Sequence, residues 1–369
     1  MVVHDDTVPV SDRDLWTSEI PDLVVDVDGV PWIGFTRRLG DDASVSAGVA
    51  HRSFTGWMVE PHLMPGSKSV VLAVDGSDVV AFGRSAVESV VMRHHDGIWS
   101  PEVSIPGSVF AASSGTVAWG VKDNHWTQFD REEARWTATS LAVQWGNAIH
   151  QEAISADGVA CFVPNQGVVV VDRTRVEPVF ATENWPVVRS MRTPAGTVVA
   201  SQKQEGGWPS PHPIVLHERQ STGAWSERTV ASVRVQAPIC PPTQAECVTE
   251  LRRFVLLGLA PTGEVLVSEQ VATAHFAKTC ARWGPQPPTP GDMPIARDCL
   301  EHTDQWGPTY ATGEMQSQTL QLDDALLAIA DGPPTDDVVL DEHDGVIHLA
   351  WYVEGPTGVA VRYVAVRRE

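Results

Sequence analysis

Apolar residues in this chain fall in short runs, and many runs end at a tight polar turn closed by glycine before a second apolar run begins. The pattern recurs seven times. The first three instances are Leu23-Val-Val-Asp-Val-Asp-Gly29, Val71-Leu-Ala-Val-Asp-Gly76 and Phe110-Ala-Ala-Ser-Ser-Gly115. Ala153-Ile-Ser-Ala-Asp-Gly158 and Arg192-Thr-Pro-Ala-Gly196 follow, then Leu259-Ala-Pro-Thr-Gly263 and Asp341-Glu-His-Asp-Gly345. β-Rich runs joined by Asp-Gly or Ser-Gly read as hairpins, because glycine accepts the positive φ that such turns need. Amphipathic helical periodicity is nearly absent. Its best candidate, Gln321–Ala330, reads equally as a short surface helix or a strand.

The turn glycines are 47, 39, 43, 38, 67 and 82 residues apart. The first four spacings match a four-stranded propeller blade of about 40–50 residues. A second marker, tryptophan opening a short strand, follows at Trp99, Trp136 and Trp225, the position of an outermost fourth strand. The same marker at Trp16 precedes any blade, whereas the last repeat holds only three strands. Pairing the two would close a ring and remove exposed sheet edges. The expectation is therefore an all-β, single-domain, seven-bladed β-propeller over residues 1–369. Its blades lie near 21–60, 69–103, 108–140, 149–180, 186–230, 252–320 and 336–367, the last completed by 11–20, with insertions at 231–251 and 280–320. The 82-residue gap leaves room for an eighth blade around Trp306–Leu322.

Turn glycines and outer-strand tryptophans of this kind resemble the β-propeller superfold, in particular sialidase-like and other secreted bacterial propellers. The resemblance implies architecture only. No intact Asp box, S/T-x-D-x-G-x-x-W, is present; His95-Asp-Gly97-Ile-Trp99 and Ser221-Thr-Gly-Ala-Trp225 keep the turn and the tryptophan but lose the Asp-x-Gly spacing. The repeats also lack a tryptophan-aspartate ending. Only Tyr310, Tyr352 and Tyr363 exist as tyrosines, so no sialidase catalytic set is carried over.

Charge narrows the partners. With 26 Lys+Arg against 47 Asp+Glu the formal net charge is −21, which opposes binding to nucleic acid or to an anionic membrane. No apolar run approaches a bilayer span of about 20 residues. The 14 tryptophans and 43% hydrophobic content exclude intrinsic disorder.

The first residues, Met1-Val-Val-His-Asp-Asp, do not read as a signal peptide. The cysteines point to an oxidising compartment. Cys240 and Cys247 would close one proline-bearing loop, Cys280 and Cys299 another, and disulfides 240–247 and 280–299 would staple both. Other pairings, unpaired thiols or a zinc site stay open, although gaps of seven, 33 and 19 residues are unlike closely spaced zinc ligands. Cys161 reads as a buried small hydrophobe. A mature extracellular or envelope protein freed of its leader reconciles these signs; a cytoplasmic one is the alternative.

A propeller carries function on loops at one face. Loops leading into the blades include Glu60–Lys68, Leu141–Ala148 and Ala181–Pro186. Second-to-third-strand loops include Arg37–Val45, Lys122–Asn124, Pro164–Gln166, Lys203–Pro213 and Val353–Thr357. They gather Trp145, Trp185 and Trp208 with His62, Lys203 and His212, and His150 and Arg189 start adjacent inner strands. Aromatic faces beside polar groups suit sugar rings, so a carbohydrate or small ligand is expected there. The plainer reading makes most tryptophans packing residues. A glycan hydrolase or lyase is the alternative, drawing its acid and base from Glu183, Glu205, His62, His150 and His212. A protein-interaction scaffold is the third. No cofactor is expected, while a structural calcium stays open; Asp26-x-Asp28-Gly29 opens like a calcium loop but lacks its closing glutamate. His94-His95 point to opposite sides of a strand and do not read as a metal pair.

Overall fold

The structure, a computed structural model, describes residues 2–10, 21–39, 44–85, 87–133, 135–144, 149–155, 158–163, 166–171, 175–182, 187–193 and 196–202. It continues over 213–231, 234–235, 246–260, 262–283, 299–322, 325–327, 338–355 and 358–367. All regular elements among these are strands. β1 (Val2–Val8) opens the chain and pairs with its end. The first sheet then takes β2 (Asp22–Val25), β3 (Pro31–Leu39), β4 (Ser44–Ser53) and β5 (Gly56–Pro65). The second takes β6 (Ser69–Asp75), β7 (Asp78–Arg84), β8 (Ser89–His95) and β9 (Ile98–Pro101). The third takes β10 (Ser108–Ser114), β11 (Val117–Lys122), β12 (His125–Glu132) and β13 (Arg135–Gln144). The fourth takes β14 (Ile149–Ser155), β15 (Gly158–Val163), β16 (Gly167–Val171) and β17 (Val176–Phe180). The fifth takes β18 (Val187–Thr193), β19 (Gly196–Gln202), β20 (Ile214–Arg219) and β21 (Trp225–Ala231).

The sixth sheet is larger, with β22 (Arg234–Val235), β23 (Glu246–Leu259), β24 (Val265–Trp283), β25 (Cys299–Leu322) and β26 (Ala325–Leu327). The seventh is β27 (Val339–His343), β28 (Val346–Gly355) and β29 (Gly358–Arg367), with β1 as its outer strand. All pairing is antiparallel, as expected of hairpins joined by short turns. Asp96-Gly97 and Asp344-Gly345 both have positive φ at the two turn positions, the geometry the Asp-Gly signature predicts.

The sheets stack face to face as the blades of a β-propeller. Their inner strands lie side by side in the order β2, β6, β10, β14, β18, β23, β27, with β27 again beside β2. Each junction has its own apolar cluster. Trp32, Val49 and Met64 of the first sheet meet Leu72 and Ala81 of the second. Phe162 and Val168 of the fourth meet Val188 and Val199 of the fifth. Ile33 and Phe35 of the first meet Tyr363 and Val361 of the seventh. Both faces of a blade are therefore covered, so β6 reads as a continuous apolar run, Val70-Val-Leu-Ala73, instead of an alternation.

Main-chain-to-side-chain bonds also cross the junctions. Leu72 N–H donates to the Asp22 carboxyl, and Val25 N–H donates to Asp341 Oδ2 at 2.7 Å. A charged clasp recurs beside the outer strands. Arg52 on β4 meets Asp6 on β1 at 3.2 Å. Arg131 on β12 meets Glu102, one residue past β9, at 2.9 Å, and Arg219 on β20 meets Glu177 on β17 at 3.0 Å. In each case an arginine near the end of a third strand reaches a carboxylate from the last strand of the preceding blade.

One expectation changes, and two alternatives left open are narrowed. The N-terminal strand beside β29 is Val2–Val8, ahead of the segment 11–20, which lies outside the described residues together with Trp16. Its acidic residues conceal it in the sequence, yet Asp5 holds Arg362 through two bonds of 2.9 and 2.7 Å. Trp306–Leu322 falls within β25, the third strand of the sixth sheet, and not in a further blade. Within Gln321–Ala330 the described residues end β25 and form β26, which is the strand reading of that segment.

The sixth sheet also departs from the others in length. β23, β24 and β25 run for 14, 19 and 24 residues, against 4 to 10 in the first two sheets. Leu256, Leu259 and Val265 pack at blade level. From Arg253 back to Glu246, and from Gln270 on to Trp283, the strands continue as a three-stranded arm. At about 3.3 Å per residue, β24 alone spans roughly 60 Å. Neighbouring short strands add little to the arm, since β22 pairs with Leu251 and Arg252 at its root, and β26 with Leu320, Gln321 and Leu322 at blade level.

Candidate functional site

The turns at Asp28-Gly29, Asp96-Gly97 and Gly263 lie at one end of the blades, here the hairpin face. The opposite end, the loop face, receives the segments leading into inner strands and those between second and third strands. The arm rises from this loop face, because its free end is opposite the Gly263 turn.

The predicted residues fall as follows. Trp145, Trp185, Trp208, Lys203 and His212 lie outside the described residues, as do Glu183, Glu205 and Cys240. The described residues that flank two of these segments are neighbours. The segment bearing Trp185 ends at Val187, and the segment bearing Lys203, Trp208 and His212 begins after Gln202. Val187 and Gln202 are directly paired across β18 and β19. Gln202 is clamped to the root of the arm: its Nε2 donates to Phe254 O at 2.7 Å, and Leu256 N–H donates to its Oε1 at 3.0 Å. His150 lies on β14 at an irregularity between the Ile149 and Gln151 pairings, and β14 adjoins β18.

Arg189 also lies here, but its Nε donates to Leu257 O at 3.0 Å and its Nη1 to Val188 O at 3.2 Å. The first of these bonds ties β18 to β23. His62 is the outlier. The sequence assigns it to a loop leading into a blade, whereas it lies exposed on β5, the outer strand of the first sheet. Val49 pairs with Glu60 and Ala47 with Met64, so Pro61-His62-Leu63 bulges from that edge. The apolar residues around it continue the strand pattern that the sequence reading cut short at Glu60.

Cys247 and Cys280 are disulfide-bonded, and both belong to the arm. On the hairpin face, the Asp26 carboxylate is taken up by its own turn. Oδ1 accepts from Asp28 N–H at 3.0 Å and Val30 N–H at 2.9 Å, while Oδ2 accepts from Trp32 Nε1 at 2.9 Å. His94 and His95 separate as their alternation demands. His94 packs on Trp32 and Trp99 with ring centroids 4.7 and 5.2 Å away, while exposed His95 bonds Asp78 at 2.7 Å. His51 stacks on Trp32 at 4.2 Å. Burial lowers the pKa of both His51 and His94, keeping these rings neutral between the first two blades.

Comparison with known proteins adds little beyond shape. No family model matches the chain, and no curated protein matches it. Among solved structures, the GH93 α-L-arabinofuranosidase of Fusarium graminearum with arabinobiose aligns at a TM-score of 0.42 and 9% identity, over 99% of this chain and 98% of that one. U3-55K aligns at 0.47 and 11%, over 98% of this chain and 100% of that one. Trypanosoma rangeli sialidase with sialic acid gives 0.33 and 11%, over 97% of this chain and 56% of the other. Likeness this distant assigns no role to any residue.

Proposed function

We propose that this chain is a seven-bladed propeller that binds a carbohydrate or other hydroxyl-rich small molecule on its loop face, in an oxidising extracellular or envelope compartment. The observation that carries the reading is the Gln202 clamp. It ties the root of the Trp208 segment to the root of the arm, and Val187, where the Trp185 segment ends, is the direct partner of Gln202. Two tryptophan-bearing segments thus start from one end of the fifth blade, beside a raised wall belonging to the sixth. A ligand held between these segments would find aromatic faces for stacking in Trp185 and Trp208, with Lys203 and His212 for its hydroxyls.

Glycan-array screening followed by calorimetry on the best hit tests it. Trp185→Ala and Trp208→Ala should each weaken binding by about tenfold, the loss of one stacking contact of roughly 1.4 kcal/mol. Unchanged affinity in both variants would remove this site from consideration.

The compartment has a separate test. We propose the pairings 240–247 and 280–299, supported by the bonded state of Cys247 and Cys280. Thiol titration of the denatured, unreduced protein should then find one reactive group among the five cysteines, Cys161. Five reactive groups would refute both bridges.

A further inference from the structure

On the hairpin face, between the fifth and sixth blades, the structure opens a cavity of about 570 Å³. It lies at the opposite end of the blades from the loop-face site, and nothing in the sequence pattern marks it. One wall is the outer hairpin of the fifth blade, with Arg219, Ser226 and Arg228; the other is the Thr262-Gly263-Glu264 turn of the sixth.

Its electrostatics differ from those of the clasped junctions. Arg52, Arg131 and Arg219 each meet a carboxylate of the preceding blade. Arg228 pairs across the strands with Leu216, which belongs to the core shared with the sixth blade, so both project to that side. Arg228 is exposed and forms no ion pair with any described residue, although Glu218 and Glu264 line the same cavity. Arg219 gives its Nη2 to Glu177, yet its buried Nε has no partner among the described residues. Hydroxyl groups line both walls: opposite Arg228, Thr262 Oγ1 donates to Glu264 Oε2 at 2.6 Å, and on the wall of Arg228 itself Ser226 Oγ donates to Glu218 O at 3.3 Å, leaving the Ser226 oxygen able to accept.

We infer that this cavity binds a sugar acid, a monoanionic ring bearing one carboxylate and several hydroxyls. The carboxylate suits Arg228, whose planar guanidinium matches it with two parallel bonds. The hydroxyls suit Ser226, Thr262 and the Glu264 carboxylate. A neutral sugar leaves the unpaired guanidinium unused, and a dianion such as a phosphate monoester meets Glu218 and Glu264. The inference stands on the cavity alone and does not rest on the loop-face reading.

Calorimetric or saturation-transfer titration of the full chain with sodium D-glucuronate, and in parallel with D-glucose, tests it. Glucuronate is expected to bind with a Kd of about 1 mM, and glucose at least about tenfold more weakly. Arg228→Ala, an exposed position whose replacement should leave the melting temperature unchanged, should weaken glucuronate binding by about tenfold or more. Trp185→Ala and Trp208→Ala should leave it intact, which separates this cavity from the loop face. No binding of glucuronate at about 20 mM, equal binding of glucose, or full binding by Arg228→Ala would each overturn the assignment.

Discussion

Glutamine in place of Glu102 is expected to destabilise the chain by about 3 kcal/mol, the cost of leaving two largely buried guanidiniums without their shared carboxylate. One oxygen, Oε1, accepts from Arg93 Nε at 2.6 Å and from Arg131 Nη2 at 2.9 Å. Side-chain exposure is 12% for Glu102 and 13% for Arg93, so water cannot replace the lost contact. Arg93 also holds Asp75 and Asp78 at 2.8 and 3.1 Å, which keeps part of its charge compensated and sets the upper limit of the effect. The nearby Arg135–Glu132 pair supplies the contrast. Its atoms are 3.9 Å apart with exposures of 77% and 60%, and Glu132→Gln should cost about 0.5 kcal/mol or less. Urea denaturation measures both, through a shift in midpoint at constant m. Because Glu102 links the second blade to the third, a double-mutant cycle with Arg131→Met should show coupling of about 1 kcal/mol or more. A Glu102→Gln cost no larger than that of Glu132→Gln would mean that the clasp contributes nothing to the junction.

That clasp was half visible beforehand. The outer-strand tryptophans Trp99, Trp136 and Trp225 stand out because a large ring opening a short strand must pack on something. Trp136 lies against Phe82 with centroids 5.7 Å apart, and Trp225 Nε1 donates to Glu177 at 3.0 Å. Trp57, which meets Tyr363 at 5.2 Å, occupies the same place but follows a Thr-Gly turn that the seven-glycine pattern did not include. Aligning all four adds a second signal: an arginine five or six residues upstream, at Arg52, Arg93, Arg131 and Arg219. A lone arginine in a strand reads as a solvated face, and only its carboxylate partner, on another blade for Arg52, Arg131 and Arg219, gives it a role. β1 was hidden for the same reason, since its Asp5 and Asp6 answer arginines 357 and 46 positions away. The arm defeated local reading differently. Its strands repeat the composition of the rest of the sheet, and only the partners across the ladder reveal where the blade stops and the arm begins. Legible from the outset were the blade unit, its turns and the structural tryptophans. The groove beside Arg228 was not, because it is made by two hairpins some forty residues apart.

Two buried groups should oppose one another across the acid range, and single substitutions should give stability profiles of opposite slope. Asp22 sits at the inner edge of the first blade, where burial raises its pKa to about 6 from 3.8, against the pull of the Leu72 and Leu23 N–H groups. The folded chain therefore retains a proton that the unfolded chain has released. This contribution is complete below pH 3.8 and is lost as pH rises through 6; about two pKa units correspond to roughly 3 kcal/mol. His348 on β28 does the reverse. Burial beside Tyr363, whose hydroxyl lies 2.6 Å from Nδ1, lowers its pKa to about 4 from 6.5. The unfolded ring gains a proton below pH 6.5 while the folded ring stays neutral, so this contribution is complete above pH 6.5 and is lost as pH falls through 4. Its size is again roughly 3 kcal/mol, and the lowered His51 and His94 add to it with the same sign. Between pH 4 and 6 the two largely cancel in the wild type. Asp22→Asn keeps an oxygen for Leu72 N–H and removes one titration, so its stability should fall by up to about 3 kcal/mol on acidification from pH 6.5 to 4. His348→Gln keeps a partner for Tyr363 and removes the other, so its stability should fall as pH rises from 4 to 6. Urea midpoints at pH 4, 5, 6 and 7 for the three proteins decide the matter. Parallel profiles would show that neither group changes its protonation on folding; diverging ones would place the two titrations on the junction and strand where burial puts them.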